Sequence, residues 1–142
     1  MISRATSLLS LFFISVAVSA QGIDSVALDL KNLTDLEFVY KYSMVFEGSW
    51  VSKQDIKVTK LIWSLPQVRK ANQDLKEKGG HTVTMVVDRP TKANKFYLVG
   101  HYQIPAKDLM PRMAFYRVDT LHNQIEYQDL DDFAHDRWKR IR

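Results

Sequence analysis

The sequence of 142 residues contains no cysteine. Without thiols the chain can form no disulfide and no thiolate zinc site, and no lipid can be attached to an N-terminal cysteine. Glycine and proline are also scarce, with five and four residues, and neither a glycine-rich phosphate loop nor a Gly-x-Ser-x-Gly elbow occurs. Stability must therefore come from apolar burial and backbone hydrogen bonds, and no local motif identifies a catalytic residue or a cofactor site.

The excess of positive charge is small, with a formal net charge of +4. Acidic and basic residues are mixed through most of the chain, whereas nucleic-acid binding usually requires a basic stripe or face, so no nucleic-acid partner is expected. The exception is the basic run 137–142. We expect it to end a terminal helix over 133–142, either as a solubilising last turn or as a weak contact with an anionic surface.

Residues 1–20 have the order of a cleavable secretory signal peptide. Arg4 precedes an apolar run over 8–18, and the small residues Val18 and Ala20 occupy the positions that signal peptidase reads. The run is shorter than the roughly 20 residues that a bilayer core of about 30 Å requires, and no later segment is long or apolar enough to cross a membrane. We expect cleavage after Ala20 and a single secreted or periplasmic domain over 21–142; an uncleaved anchor or a buried N-terminal helix is the alternative.

Residues 36–46 form the first periodic segment. Apolar or aromatic side chains occupy every second position, which predicts a long half-buried strand. A helix is the alternative. The strand pattern uses Leu36, Phe38, Tyr40, Tyr42, Met44 and Phe46, and the helical pattern uses Leu33, Leu36, Tyr40 and Met44.

Residues 55–78 have helical periodicity that Pro66 interrupts, because proline lacks an N–H group and restricts the preceding residue. The pattern predicts one broken helix, with Ser64 capping its second part and Gly79-Gly80 ending it.

The pattern then changes to strands at 81–88, 95–103, 112–119 and 124–128, with a hairpin turn at 119–123. A helix followed by strands in series predicts the α+β class. We expect an antiparallel four- to five-stranded sheet packed against the broken helix.

The stretch from Leu65 to Tyr127 resembles small exported bacterial domains of the PepSY-like or cystatin-like kind. The resemblance rests on the helical sequence at 65–72, Phe-Tyr-Leu-Val at 96–99, Phe-Tyr-Arg-Val-Asp at 115–119 and Ile-Glu-Tyr at 125–127. The turn at 120–123 lacks the glycine often found in that family. The resemblance implies a non-enzymatic binding or inhibitory module of the cell envelope, and it implies no active-site residue.

Two surfaces are candidates for binding. The first is the loop after the second strand, where two prolines exclude a continuous strand and apolar residues either contact a partner or pack back onto the sheet edge: Ile104, Pro105, Leu109, Met110 and Pro111. This loop or a sheet edge leads us to expect a protein or peptide partner. The alternative is a carrier of a small apolar ligand, whose cleft between helix and sheet would be lined by Tyr40, Tyr42, Phe96 and Tyr102. An enzyme with a site assembled from distant residues is a third possibility.

Metal binding is not expected from the four histidines, at 81, 101, 122 and 135, because none has a second histidine at a ligand spacing. His81 and His101 would approach each other only if their strands paired in a suitable register. The acidic cluster near the C-terminus lacks the spacing of a calcium loop and is expected to be a solvated turn that caps a helix: Asp129, Asp131, Asp132 and Asp136.

Overall fold

The computed structural model describes residues 24–44, 51–107 and 111–142. The helices are α1 (Ser25–Asn32), α2 (Asp35–Tyr42), α3 (Lys53–Trp63), α4 (Pro66–Glu77) and α5 (Leu130–Ala134), and the strands are β1 (His81–Asp88), β2 (Tyr97–Ile104), β3 (Arg112–Asp119), β4 (Gln124–Gln128) and β5 (Lys139–Arg140). The predicted signal peptide at 1–20 lies outside these ranges. Within them, no helix combines the length and apolarity needed to cross a bilayer.

The five strands form one sheet in the order β1-β2-β3-β4-β5, and each neighbouring pair is antiparallel. This confirms the predicted α+β class and antiparallel sheet. The turn between β3 and β4 needs a left-handed residue, and Asn123 supplies it with a φ of 51° in place of a glycine.

The helix predicted over 133–142 is wrong. The chain leaves α5, turns at Asp136 with a φ of 50°, and pairs with β4 as β5. Backbone hydrogen bonds decide this outcome: the amide of Ile125 donates to the carbonyl of Arg142 at 3.0 Å, and the amide of Ile141 donates back to Ile125 at 2.8 Å. A helix would have left that edge of β4 without partners.

The strand predicted over 36–46 is also wrong within the described residues, because the segment begins as helix α2. Thr34 and Glu37 form a capping box: the Thr34 hydroxyl accepts from the Glu37 amide, and the Glu37 carboxylate accepts from the Thr34 amide. The helical alternative placed the wrong side of the helix in the core, since Leu36 and Tyr40 are exposed and Phe38 is buried. Residues 45–46 lie outside the described ranges.

The predicted break at Pro66 is confirmed, although it separates two helices rather than two parts of one. Pro66 is the first residue of α4, where its missing N–H group is harmless, and Leu65 takes the capping position predicted for Ser64. The Ser64 hydroxyl instead donates to the carbonyl of Leu61. Gly79 ends the helix with a φ of 80°, as predicted.

The core lies between the helices and one face of the sheet. Trp63 is fully buried at its centre, and its indole N–H donates to the Thr84 hydroxyl at 3.0 Å and to the carbonyl of Tyr42 at 3.2 Å. Trp63 therefore ties α2 and α3 to β1. Besides Trp63, the largest fully buried side chains are Tyr116, Phe38, Ile62 and Ile125.

Candidate functional site

The face of the sheet opposite α1–α4 is apolar across β1, β2 and β3. The strand register places Val83, Tyr102 and Met113 in one row, and Met85, Gly100 and Phe115 in the next. None of these six residues carries a charged side chain. We call these two rows the free face. An antiparallel sheet that packs helices on one side usually has polar residues on the other, so an apolar second face is unusual.

The free face is partly accessible in the described part of the chain. Met113 is 38% exposed, and the side chains of Val83, Met85, Tyr102 and Phe115 are half-buried. Phe133 of α5 lies beside the face, with its ring 6.0 Å from that of Phe115 and 61% of the residue exposed. The free face is thus a shallow apolar surface with α5 along one side.

A cationic side chain closes one end of this surface. The Arg117 guanidinium lies 4.8 Å from the centre of the Phe96 ring and 4.5 Å from that of Trp138, and it forms an ion pair with Glu126. Cation–π contacts and the ion pair hold the guanidinium in place and neutralise it. Its charge is therefore already matched within the chain.

The four aromatic residues predicted to line a ligand cleft do not lie together. Tyr42 is 3% exposed in the core, Tyr40 is 72% exposed on the surface of α2, and Phe96 contacts Arg117. Tyr102 lies on the free face, where its ring covers Gly100 so closely that a Cβ atom there would come within 2.7 Å of the hydroxyl. In the described part of the chain these four side chains therefore do not line one common cleft.

The predicted partner-binding loop is described only in part, because Leu109 and Met110 lie outside the described residues. Ile104 and Pro105 pack against the end of α4, where a Cβ atom on Gly80 would lie 2.6 Å from the Ile104 carbonyl oxygen. Pro111 is exposed. Pro105 also lines a groove of about 480 Å³ with Leu75 and Arg112. Ile104 is the last residue of β2, where it pairs with His81, and so does not belong to the loop as predicted.

Both edges of the sheet are partly occupied. At β1, the amide of Met44 donates to the carbonyl of Thr84 at 2.7 Å, and the Ser43 hydroxyl donates to the same oxygen at 2.9 Å. At the other side, the two-residue strand β5 covers β4 and leaves only a short edge strand. Addition of a partner strand, the mode expected from the sequence, would have to compete with these contacts.

A second groove, which the sequence did not indicate, lies between α3 and the β3–β4 turn. It measures about 700 Å³, and its apolar lining includes Leu30, Leu61 and Leu121. We call it the α3–turn groove. Leu121 is 86% exposed, and Lys57 of α3 also lines the groove. Only the fold brings these residues together, because they come from three separate elements.

The buried carboxylate of Asp119 fixes the turn beside this groove. One oxygen accepts from the amides of Leu121 and His122, and the other contacts the His122 ring at 2.7 Å and the Lys95 ammonium at 3.2 Å. Burial alone would raise the pKa of Asp119, but the hydrogen bonds from His122 and Lys95 outweigh it and lower the pKa to about 2. Asp119 is therefore ionised and fully engaged.

The histidines do not form a metal site in the described part of the chain. The register separates His81 from His101, since His81 pairs with Ile104 and His101 pairs with Thr84. His101 is 2% exposed, its Nε2 atom has no hydrogen-bond partner among the described residues, and burial lowers its pKa to about 4. It is a buried neutral core residue.

The acidic cluster has two roles. Asp129 caps α5, as expected, and accepts from the amide of Asp132 at 2.8 Å. The prediction of a solvated cluster is wrong for Asp132, which is 2% exposed and pairs with Lys139 at 3.0 Å and with Arg137 at 3.7 Å. Basic residues near the C-terminus thus neutralise a buried carboxylate within the chain.

Comparisons of the chain with models of protein families, with curated proteins and with solved structures found no match. The resemblance to PepSY-like or cystatin-like domains therefore stays a prediction from the sequence.

Proposed function

We propose that the protein is an exported, non-enzymatic binding module whose free face takes an amphipathic helix of a partner protein. The observation that carries the proposal is the pair of uncharged rows formed by Val83, Tyr102, Met113, Met85 and Phe115 on the side of the sheet that α1–α4 leave uncovered. Contiguous exposed apolar surface of this kind is typical of interaction sites.

The dimensions of the free face favour a helix. Three neighbouring strands span about 10 Å between the outer two, which matches the diameter of about 10–12 Å of one helix with its side chains. α5 and Phe133 supply a side wall for such a helix. A partner strand would instead need a free edge, and Ser43 and Met44 occupy the middle of the β1 edge.

The charges on and around the free face favour an apolar partner surface over a polyanion. The two rows contain no charged side chain, and the guanidinium of Arg117, two residues after Phe115 on the same strand, is matched by Glu126 and by two aromatic rings. A partner helix with apolar residues at i, i+3, i+4 and i+7 would bury the rows and leave its polar side in water. The C-terminal cations are also partly matched, which weakens the case for an anionic surface.

Export is the part of the proposal that rests on the sequence of the leader. The charged, apolar and small-residue parts at Arg4, 8–18 and Val18 to Ala20 support it. Expression of the full chain in a secreting bacterial host, followed by intact-mass measurement of the exported fraction, should give a protein that begins at Gln21. Material in that fraction that retains residues 1–20 would contradict cleavage.

Site-specific photo-crosslinking tests the binding surface. A photo-reactive amino acid is placed at Met113 of the free face, and a matched control is placed at Leu36, which is 56% exposed on α2. The segment crosslinked through Met113 is identified by mass spectrometry, synthesised and titrated against the purified protein. We expect a segment with an amphipathic helical sequence that gains helicity on binding.

Point substitutions then distinguish binding at a specific site from nonspecific adhesion. Met113→Lys should weaken binding of that segment by about tenfold or more, since it places a charge in an apolar contact, whereas Leu36→Lys should leave it unchanged. Both variants should unfold at temperatures close to that of the parent. Crosslinking of Met113 only to a second copy of the chain, an extended bound segment, or equal binding by both variants would overturn the proposal.

A further inference from the structure

We propose that the α3–turn groove is a second, separate binding site, and that its ligand is a single-chain amphiphile ending in a carboxylate. The groove has a volume of about 700 Å³, within the range of about 300–1,000 Å³ that small-molecule sites occupy. It lies among α1, α3 and the β3–β4 turn, and its lining includes none of the residues that form the free face.

The apolar part of the site is held open by a rigid turn. Leu121 lies at the tip of the β3–β4 turn and lines the groove together with Leu30 and Leu61. Even so, 86% of Leu121 is exposed. The side chain of Asp119 accepts from the amides of Leu121 and His122, so the turn is fixed in place before any ligand arrives. A groove with leucines from separate elements and a fixed tip suits an unbranched alkyl chain.

The charges of the groove favour a negatively charged head group. Lys57 is exposed, and within the described ranges it has no carboxylate partner. Lys60 also lines the groove, but Asp35 pairs with it at 2.5 Å. Asp119, the acidic residue of the lining, already pairs with the Lys95 ammonium and accepts a hydrogen bond from the His122 ring. The ammonium of Lys57 is therefore the group that we assign to the ligand carboxylate.

Calorimetric titration of the purified protein with decanoate tests the site directly. Octanoate and dodecanoate vary the chain length, and decyltrimethylammonium keeps the chain while reversing the charge; all are used below micelle formation. Burial of the chain predicts that affinity rises about threefold to fourfold for each added methylene. The cationic analogue should bind at least about tenfold more weakly than decanoate, because Lys57 repels it.

Variants locate the ligand. Leu121→Asp should weaken decanoate binding about tenfold or more, and Lys57→Glu should weaken it at least about fivefold, while both proteins stay folded because the two side chains are exposed. Lys92→Glu makes the same charge change at another exposed lysine and should leave binding unchanged. Met113→Lys should also leave it unchanged.

Three results would overturn the inference: equal binding of the cationic analogue, full binding by Leu121→Asp, or loss of decanoate binding in Met113→Lys. The last would place the ligand on the free face. The inference and the proposed function fail independently, because Leu121→Asp should not affect capture of a partner helix and Met113→Lys should not affect decanoate.

Discussion

The imidazole Nδ1 atom of His122 lies 2.7 Å from a carboxylate oxygen of Asp119, three residues earlier in the chain. Because an ionised carboxylate can only accept hydrogen bonds, Nδ1 carries the hydrogen and donates it. The same carboxylate also accepts from two backbone amides and contacts the Lys95 ammonium. One buried acidic side chain thus fixes the turn that forms a wall of the α3–turn groove.

Asp119→Asn should lower the stability of the protein at neutral pH and change its response to acid. The folded-state pKa of Asp119 is about 2, below the ordinary value of 3.8, so the stability that its charge provides is complete above about pH 4 and is lost as the pH falls toward about 2. The wild type should therefore lose stability over that interval, and the variant should lose less. Thermal unfolding measured across the interval checks this.

The matched control for Asp119→Asn is Asp74→Asn, which alters an exposed carboxylate paired with Lys70 on the surface of α4. It should shift the unfolding temperature little at any pH, because exposed pairs of this kind contribute little. Parallel acid-unfolding profiles for wild type and Asp119→Asn would show that the Asp119 charge does not stabilise the turn.

His101 should make the protein sensitive to a higher range of pH. Burial lowers the pKa of this histidine from 6.5 to about 4, and the aromatic rings of Trp63 and Tyr116 lie beside it. The unfolded chain binds a proton below about pH 6.5, whereas the folded chain does so only near pH 4. Stability should therefore fall as the pH decreases between these values, by up to about 3 kcal/mol.

His101→Leu removes this titration, so the free energy of unfolding should become nearly constant between about pH 6.5 and 4. At neutral pH the variant should be close to the wild type, because the unpaired Nε2 atom is lost together with its burial cost. Urea unfolding at several pH values measures the slope, and His135→Gln, at an exposed histidine, serves as the control. An unchanged slope in His101→Leu would contradict the assignment.

The hydrogen bond from Trp63 to Thr84 should couple α3 to β1. Trp63→Phe removes the indole N–H, and Thr84→Val removes the hydroxyl that accepts from it at 3.0 Å. We expect a coupling energy of about 0.5–1.5 kcal/mol from the double-mutant cycle, measured by denaturant unfolding.

The control cycle for this contact pairs Trp63→Phe with Thr82→Val, because the Thr82 hydroxyl donates to Asn72 and shares no hydrogen bond with Trp63. Its two changes should be additive to within about 0.5 kcal/mol. Equal coupling in the two cycles would mean that packing, and not the hydrogen bond, joins the helix to the strand.

Local sequence signals predicted the second half of the fold well. Pro66 and Gly79 mark the two ends of α4, and β1, β3 and β4 have the predicted bounds. These elements are specified by residues that begin or end a helix and by regular alternation of side chains along a strand. Both signals are local in the sequence. The bulge at Val86 to Asp88 and the two-residue strand β5 depend on a partner strand and could not be predicted in the same way.

The structure of the first half of the chain and the two candidate sites depend on contacts between elements. A single segment of sequence does not contain that information. The alternation over 36–46 fits a strand, yet the capping box at Thr34 and the burial of Phe38 against Tyr42, which itself packs on Trp63, decide for a helix. The capping box was visible in the sequence and was the missed signal. The free face and the α3–turn groove arise from register and from contacts between distant elements, so no local pattern could have shown them.

Methionine methyl groups offer the most direct test of the free face. Met85 and Met113 lie on it, whereas Met44 follows α2 and lies next to the β1 edge. In ¹³C-methyl NMR spectra of the protein with the captured partner segment, we expect contacts from the segment to the Met85 and Met113 methyls, helical Cα shifts in the segment, and no change at Met44. Contacts at Met44, or extended Cα shifts with Met85 and Met113 unchanged, would contradict helix binding at the free face.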